Sequence, residues 1–206
     1  MEDLLELREG WWWPKKDIMA WKFIRKEVAD IDEIIKYVED KSYVIQAGGN
    51  MGMWPAKYAT LFKNVYTFEP DEINLYCLKK NIKSDNVKIF PYAVGEVTRN
   101  ISMEVLLEKN RGANRVAFGG DIPMITIDEL NFEGCNLLQL DVEGFEHQAV
   151  VGATNTIKKF KPVIVLELKG HGEHYGYTDE ETINFVKSLG YKLETTLRAD
   201  HIFLPI

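Results

Sequence analysis

A glycine-rich turn between two apolar stretches is the feature that most constrains the fold of this 206-residue chain. The run from Val44 to Gly52 is typical of a buried strand, a tight turn and the start of a helix, and a second apolar stretch, from Val65, ends in Glu69. In such a unit, glycines let the backbone approach a ligand, and the acidic side chain can accept hydrogen bonds from ribose hydroxyls. The pattern therefore predicts an adenosine-type cofactor.

Strand-like and helix-like stretches alternate along most of the chain. We predict strands over 43–47, 65–69, 87–92, 136–141 and 163–168, and helices over 52–62, 72–82, 145–159 and 179–188. Two closing strands, 191–195 and 201–204, are predicted to form an antiparallel edge hairpin. Repeated strand–helix units imply an α/β, doubly wound, Rossmann-like sheet that is mostly parallel, with helices on both faces.

The chain has the organisation of a single domain over 1–206. Residues 1–40 are predicted to be a helical lead-in, and residues 42–206 the cofactor-binding and catalytic core. Three consecutive tryptophans, Trp11 to Trp13, stand in this lead-in and are candidates for contact between copies in a homo-oligomer. The stretch 97–127 is less regular, with an alternation of apolar residues that suggests extended structure.

Composition excludes several classes of function. The net charge of -7, without an evident basic patch, argues against a nucleic-acid partner. The two cysteines, Cys77 and Cys135, belong to no zinc-binding pattern and are expected to be reduced thiols of a cytoplasmic protein. No apolar run approaches the ~20 residues of a membrane span. The acidic start, Met1 to Glu6, lacks the features of a signal peptide.

The spacing of the glycines excludes two common nucleotide-binding patterns. Gly48, Gly49 and Gly52 do not fit the G-x-G-x-x-G pattern of dinucleotide-binding proteins, and no Gly-Lys-Ser/Thr of a P-loop follows. A glycine turn with Glu69 at the end of the next strand matches class I methyltransferases, which bind S-adenosylmethionine.

A longer set of motifs resembles the FkbM family of these methyltransferases. The resemblance covers roughly residues 42 to 195, and its most specific part is the block Asp-Val-Glu-Gly-x-Glu. It rests on Val44–Gly52, Phe68-Glu69-Pro70, Ala93, Leu140–Glu146, Lys161-Pro162 with Glu167, and Leu189-Gly190-Tyr191.

The resemblance implies which residues hold S-adenosylmethionine. They are Gln46, Ala47, Gly48, Gly49, Asn50, Gly52, Glu69, Pro70, Tyr92, Ala93 and Asp141. Gln46 stands where the family commonly has Asp, Gly49 where it has Ala, and Tyr92 where it has a small polar residue. Gln46 can hydrogen-bond to the amino-acid end of the cofactor but adds no charge there, so we expect weakened cofactor binding.

Candidate catalytic residues follow the ends of two predicted strands. Asp141 comes at the end of one of them, where doubly wound sheets bind ligands, and is a candidate general base or acceptor-orienting group. Glu143 is a candidate with an equally plausible capping role at the next helix, and Glu146 favours capping. Glu167 ends the other strand, and His171 in the loop beyond it is a second possible base.

Metal ligands are not predicted, although Asp141 and Glu167 could supply the carboxylates that metal-dependent O-methyltransferases use. Arg111 and Arg115 could hold an anionic or hydroxyl-rich acceptor, but a solvated loop is the favoured interpretation of this stretch.

The predicted function is O-methylation of a hydroxyl on a saccharide or another small metabolite, with S-adenosylmethionine as the methyl donor. Two alternatives remain at this point: a nucleic-acid or protein methyltransferase, and a non-catalytic binding protein that retains the fold. The sequence Asp141-Val142-Glu143 replaces the Asn/Asp-Pro-Pro-aromatic motif common in amino-group enzymes acting on nucleic acids. Gln46 and the tryptophan-rich start are the features that permit the non-catalytic alternative.

Overall fold

The computed structural model describes all 206 residues, and after a single 3-10 turn at Glu2–Leu4 the chain forms a hairpin rather than the predicted helix. Strand β1 (Leu5–Arg8) pairs antiparallel with β2 (Trp11–Pro14), and the helices α1 (Met19–Glu27) and α2 (Ile31–Ile34) follow. Trp13 is fully buried, and its ring meets that of Trp21 edge-on at 5.0 Å between centroids. The helical lead-in is therefore wrong for the first residues, because consecutive tryptophans favour a strand. Contact between copies through this segment stays a prediction.

The remaining strands form a seven-stranded sheet and a four-stranded sheet. In chain order they are β3 (Tyr43–Ala47), β4 (Asn64–Phe68), β5 (Val87–Phe90), β6 (Ala93–Val94), β7 (Arg99–Glu104), β8 (Arg115–Phe118), β9 (Ile122–Ile125), β10 (Leu137–Leu140), β11 (Val163–Glu167), β12 (Tyr191–Leu197) and β13 (Asp200–Pro205). The large sheet has the order β12–β13–β11–β10–β3–β4–β5, and only β13 runs against the others. The predicted doubly wound, mostly parallel sheet is confirmed.

Both faces of the large sheet are buried. Neighbouring residues of a strand point to opposite faces, so each strand contributes side chains to two apolar cores. Leu138 belongs to one apolar core and Leu137 to a second, separate one. The helices that cover these faces are α3 (Met53–Ala59), α4 (Glu72–Asn81), α5 (Glu146–Val151), α6 (Thr154–Phe160) and α7 (Asp179–Ser188). The single helix predicted over 145–159 is thus two helices, and Gly152 between them packs against the backbone of Gly95. None of the helices combines the length and the apolar character needed to cross a membrane.

The irregular stretch 97–127 contributes three strands to the four-stranded sheet, whose order is β6–β9–β7–β8. This smaller sheet stands beyond the carboxyl end of β5 in the chain and covers its own apolar cluster, in which Ile101 and Met124 are fully buried. The expected extended structure is present.

The order of the large sheet reverses between β3 and β10, where Ala47 lies beside Leu140. The carboxyl ends of strands at such a reversal are where doubly wound sheets bind ligands. Gly48 leaves β3 here with φ +89, and a Cβ atom on it would lie 1.9 Å from the carbonyl oxygen of Asp141. The turn can lie this close to the end of β10 only because residue 48 has no side chain.

This close approach predicts an unusually high cost for Gly48→Ala. Gly10 is the matched control, because it has φ +90 but nothing within 4 Å of its Cβ position. Gly10→Ala should lower the free energy of unfolding by about 1–2 kcal/mol, the cost of the left-handed backbone alone. Gly48→Ala should cost about 1–3 kcal/mol more, because the backbone of Asp141 must move. Urea denaturation of both variants measures the difference, and equal losses would contradict the steric argument.

Candidate functional site

A cleft of about 680 Å³, which we call the main cleft, opens at the reversal between β3 and β10. Most of the residues predicted to hold the cofactor line it: Ala47, Gly48, Asn50, Glu69, Pro70, Tyr92, Ala93 and Asp141, with Glu143 beside them. Trp54, from the first turn of α3, also lines the cleft.

Three predicted cofactor residues do not line the main cleft. The side chain of Gln46 is buried beneath the turn, where it donates to the carbonyl oxygen of Gly48 at 2.8 Å and accepts from the hydroxyl of Thr67. Its amide is therefore hydrogen-bonded inside the protein, and contact between Gln46 and the cofactor stays a prediction. Gly49 and Gly52 face Leu78 of α4 rather than the cleft, so their absent side chains make room for packing.

Glu69 is held at the end of β4 with both carboxylate oxygens engaged. They accept hydrogen bonds from the backbone N–H groups of Asn50 at 2.6 Å and of Asp71 at 2.8 Å. Burial, together with the nearby charge of Asp71, raises the pKa of Glu69 to about 8. The side chain is thus fixed in the cleft wall, and its contact with the ribose of an adenosine stays a prediction.

Asp141, Glu143 and Glu167 form a cluster of carboxylates at the next strand ends, and one oxygen of each lies within 4.8 Å of the others. Burial, and next the charge of Glu167, raises the pKa of Asp141 well above its ordinary value. Burial opposes it, but a hydrogen bond from Asp141 and the charge of Lys169 hold the pKa of Glu167 below its ordinary value. Asp141 therefore carries the proton of this pair and Glu167 the negative charge.

Glu143 occupies a left-handed backbone conformation, with φ 54, at the sharp turn after β10. The turn is stabilised by Glu146, whose carboxylate accepts the N–H groups of Val142 at 2.9 Å and of Gly144 at 3.2 Å. A side chain on Gly144 would come within 2.6 Å of the carbonyl oxygen of His171, so this glycine lets the two loops touch. As a result, Nδ1 of His171 lies 3.0 Å from Oε2 of Glu143. The capping role favoured for Glu146 matches its position.

Two further recesses flank the main cleft, and Glu143 lines all three. The acidic recess, about 440 Å³, is lined by Ala20, Phe23, Ile24, Glu27, Asn50, Asn110, Gly112, Asp141, Glu143, Glu167 and Lys169. The histidine recess, about 520 Å³, is lined by Leu106, Ala113, Arg115, Glu143, Gly170, His171 and His174. The four predicted catalytic residues are therefore divided between adjoining spaces that meet at Glu143.

Arg111 is buried, which corrects the expectation of a solvated loop. Its guanidinium donates to both carboxylate oxygens of Asp71, at 3.0 and 2.8 Å, and Asn114 donates to the same carboxylate at 3.0 Å. Asp71 also caps α4 by accepting the N–H groups of Ile73 and Asn74. Arg111, Asn114 and Asn74 consequently form a polar wall of the main cleft. In the sequence, Asp71 directly after Glu69-Pro70 is recognisable as a helix cap. Nothing in the local pattern indicates that it also pairs with Arg111.

The strand order and the position of the cleft at its reversal are those of a class I methyltransferase fold, and comparison with known proteins supports this. The chain has a TM-score of 0.52 to methyltransferase FkbM from Methylobacillus flagellatus, with 17% identity over 80% of this chain and 43% of that one. It has a TM-score of 0.51 to magnesium protoporphyrin IX methyltransferase from Synechocystis with bound SAM, with 12% identity over 91% of this chain and 84% of that one.

The family follows from the sequence match. The methyltransferase FkbM domain model matches residues 53–193, and the chain belongs to this family of S-adenosylmethionine-dependent methyltransferases. A curated relative, hexuronic acid methyltransferase AglP from Haloferax volcanii, is 27% identical over 158 residues, which are 73% of this chain and 66% of that protein. The predicted family and cofactor are thereby confirmed. The chain spans 66% of the length of that relative and 43% of the solved FkbM protein.

The main cleft fits S-adenosylmethionine on three observations of its own. Gly48 presents backbone where any side chain would strike Asp141. Glu69 stands at the end of β4 with its carboxyl in the wall. Atom Oδ1 of Asp141 and the side-chain carbonyl oxygens of Asn74 and Asn114 are buried without a donor partner, so the wall offers acceptors to a ligand that carries hydroxyl and ammonium groups.

The buried ion pair predicts a large difference between two neighbouring arginines, Arg111 and Arg115. Arg111→Ala should lower the free energy of unfolding by about 3–5 kcal/mol, because Asp71 is left buried without its counter-ion. Arg115 pairs with Glu104 at 2.8 Å, and that pair is partly exposed to solvent. Arg115→Ala should therefore cost about 1 kcal/mol or less. Chemical denaturation measures both, and a mild effect of Arg111→Ala would show that the pair contributes little.

Glu146 predicts a specific dependence of stability on pH. Burial raises the pKa of Glu146 to about 7, above its ordinary value of 4.5. Between these values the folded chain holds a proton that the unfolded chain has released, so the free energy of unfolding falls as pH rises. Glu146→Gln should remove up to about 1.4 kcal/mol of this loss per pH unit. Denaturation series over this range measure the slope, with exposed Glu173→Gln as the control; identical slopes in all three proteins would refute the assignment.

Proposed function

We propose that this methyltransferase moves the methyl group of S-adenosylmethionine to a hydroxyl oxygen of a saccharide. The observation that carries the proposal is the acidic recess, which adjoins the main cleft and shares Asp141 and Glu143 with it. A hydroxyl bound in the recess would therefore lie next to the reacting end of a cofactor in the cleft, as in-line methyl transfer requires.

The chemistry of the acidic recess suits a sugar. Its carboxylates and the amides of Asn50 and Asn110 can accept and donate hydrogen bonds to neighbouring hydroxyl groups. Phe23 of α1, half exposed at 50%, offers apolar ring surface to the C–H face of a sugar ring. The curated relative, by its name, methylates a hexuronic acid, which is also a saccharide acceptor. A recess of this acidity disfavours the phosphate backbone of a nucleic acid.

Glu143 is the proposed general base. When bound, S-adenosylmethionine supplies a methyl group on a positively charged sulfur, so the chain needs to align the hydroxyl and remove its proton. Burial raises the pKa of Glu143, whereas the charge of Lys169 lowers it. Its carboxylate is thus more basic than that of Glu167, and, unlike Asp141, it does not carry the shared proton. Asp141, whose proton is donated to Glu167, would instead orient the acceptor by accepting a hydrogen bond at Oδ1, which has no partner within the chain.

His171 offers the proton a way out to solvent. Its Nδ1 lies 3.0 Å from Glu143, and half of its side chain is exposed, so it can receive the proton on the side of the histidine recess. The proposed sequence is transfer from the acceptor hydroxyl to Glu143 as the oxygen–carbon bond forms, and then from Glu143 through His171 to water. Glu167 would hold Asp141 in place rather than touch the acceptor.

The direct test is transfer of a labelled methyl group to a panel of acceptors. Neutral hexoses, hexuronic acids and their glycans, RNA and a protein extract are incubated with labelled S-adenosylmethionine, and the product is treated with mild base. A base-stable label on a saccharide identifies a methyl ether and supports the proposal. A base-labile label identifies a methyl ester, which needs no general base and would contradict the role of Glu143. Label on RNA or protein alone would replace the saccharide.

Glu143→Gln tests the base itself. We expect a loss of about 10²–10⁴-fold in kcat, because the amide cannot take a proton. Affinity for S-adenosylmethionine, measured by isothermal titration, should change little, since the amide keeps the size of the carboxylate. His171→Ala should cost less, because water can replace the relay, and Glu173→Gln in the same loop is the control. A Glu143→Gln enzyme with full activity would remove this residue from the mechanism.

A further inference from the structure

Lys169 lies at the centre of the carboxylate cluster, a position that no feature of the sequence suggested. Its ammonium is 2.5 Å from Oε2 of Glu167 and 3.5 Å from Oε1 of Glu143. Asp141 joins the same cluster through Glu167 and Glu143, with one oxygen of each of the three within 4.8 Å of the others. The side chain of Lys169 is one-third exposed, at 33%, and lines the acidic recess. One cation thus faces three carboxyl groups.

Geometry explains how Lys169 reaches this position. Glu167 is the last residue of β11, and residues two apart in extended chain point to the same side. The backbone N–H of Leu168, between them, is bonded to the carbonyl oxygen of Ala199, which keeps the chain beside β13 past the end of β11. The side chains of Glu167 and Lys169 therefore lie on the same side of the chain, where the ammonium pairs with the carboxylates of Glu167 and Glu143.

Further charges face Lys169 from the neighbouring elements. Glu27 of α1 lines the recess beside it, and Asp200 begins β13 next to Glu167. Burial raises the pKa of Asp200 to about 7, and Lys169 opposes that rise. The pKa of Glu27 is likewise raised by burial and lowered by Lys169. The other cation on this side, Arg198, pairs with Asp30 at 3.1 Å, so Lys169 is the counter-ion that the cluster shares.

We propose that Lys169 is a positioning residue that fills the place of a divalent cation, holding Asp141, Glu143 and Glu167 together for an acceptor without a metal. An ammonium beside the carboxylates of Glu143 and Glu167 neutralises charge and orients oxygens, as a bound Mg²⁺ would, and its hydrogens face lone pairs that metal coordination would need. A divalent ion would have to displace this cation to bind. The kinetic part of the inference rests on the proposed function; the cation-binding part does not.

Lys169→Met tests the proposal, because methionine keeps most of the length of the side chain and removes the charge. Removing an opposite charge at this distance should raise the pKa values of the cluster by about one unit or more. The acidic limb of the pH–rate profile should therefore move to higher pH by a similar amount, with a large loss of kcat at neutral pH. Lys169→Arg, which keeps the charge, should retain the wild-type profile even if its rate is lower.

Cation binding is measured separately, by Mn²⁺ paramagnetic resonance on the intact wild-type chain and on each variant. We expect the wild type to bind no Mn²⁺ at this site and to keep its activity in EDTA, and Lys169→Met to gain a Mn²⁺ site that Glu167→Gln then removes. The matched control is Lys192→Met, because Lys192 pairs with Glu194 two residues away at 2.6 Å on an exposed strand. This variant should gain no Mn²⁺ site.

Two results would overturn the proposal. One is a wild-type protein that binds Mn²⁺ through the cluster or loses its activity in EDTA, since Lys169 would then not fill the place of the cation. The other is a folded Lys169→Met variant with an unchanged pH–rate profile and no new Mn²⁺ site. If no acceptor is methylated at all, the proposed function fails, and the Mn²⁺ measurements still decide the role of Lys169. If Lys169→Met does not fold, the Lys169→Arg and wild-type measurements decide it.

Discussion

The contact between two stretches of backbone at the strand reversal sets the rest of the site. Gly48 lies against the carbonyl oxygen of Asp141, and the N–H of Asp141 is bonded to the carbonyl oxygen of Ala47 at 3.1 Å. The N–H groups of Gly48 and Gly49 both reach the carbonyl oxygen of Phe68, at 3.1 and 2.8 Å. Three strand ends are thereby joined through backbone alone, and their acidic side chains are brought to one edge. The relative positions of Gly48, Glu69 and Asp141 therefore depend on this junction.

The electrostatics of that edge work against the folding of the chain. Asp141, Glu143 and Glu69 all have a raised pKa, and burial is the first cause for each of them. Carboxyl groups that are difficult to ionise destabilise a folded protein at neutral pH and cluster at functional sites. Here the cost is limited by a single buried proton between Asp141 and Glu167 and by one cation, Lys169. Such an arrangement would suit the proposed removal of a proton from an acceptor hydroxyl.

The sequence predicted what local patterns determine and missed what distant contacts determine. The strands of the large sheet follow from short apolar runs that end in Gly or an acidic residue, and the block Asp141–Glu146 identified the family. The positions of Gln46, Arg111 and Lys169 could not be inferred in this way. The side chain of Gln46 is hydrogen-bonded to Thr67 of the neighbouring strand, and Arg111 is paired with Asp71, 40 residues earlier in the chain. In the sequence, Lys169 has the features of an ordinary surface lysine. Its contacts with Glu167 and Glu143 form only when β10 and β11 pair in the sheet.

The wall of the main cleft opposite the ends of β3, β4 and β10 comes from one continuous stretch of chain. Strands β6 to β9 and the loop with Arg111 lie consecutively between β5 and β10, and they form a sheet of their own. Outside that sheet, the buried pair of Arg111 and Asp71 ties this segment to α4. In such an arrangement, the lining of the cleft and the strands beneath it can change independently in evolution. Insertions, deletions and exchanges within the segment can reshape what the cleft accepts, while the strands that carry Gly48, Glu69 and Asp141 keep their sequence, provided that Asp71 retains its arginine.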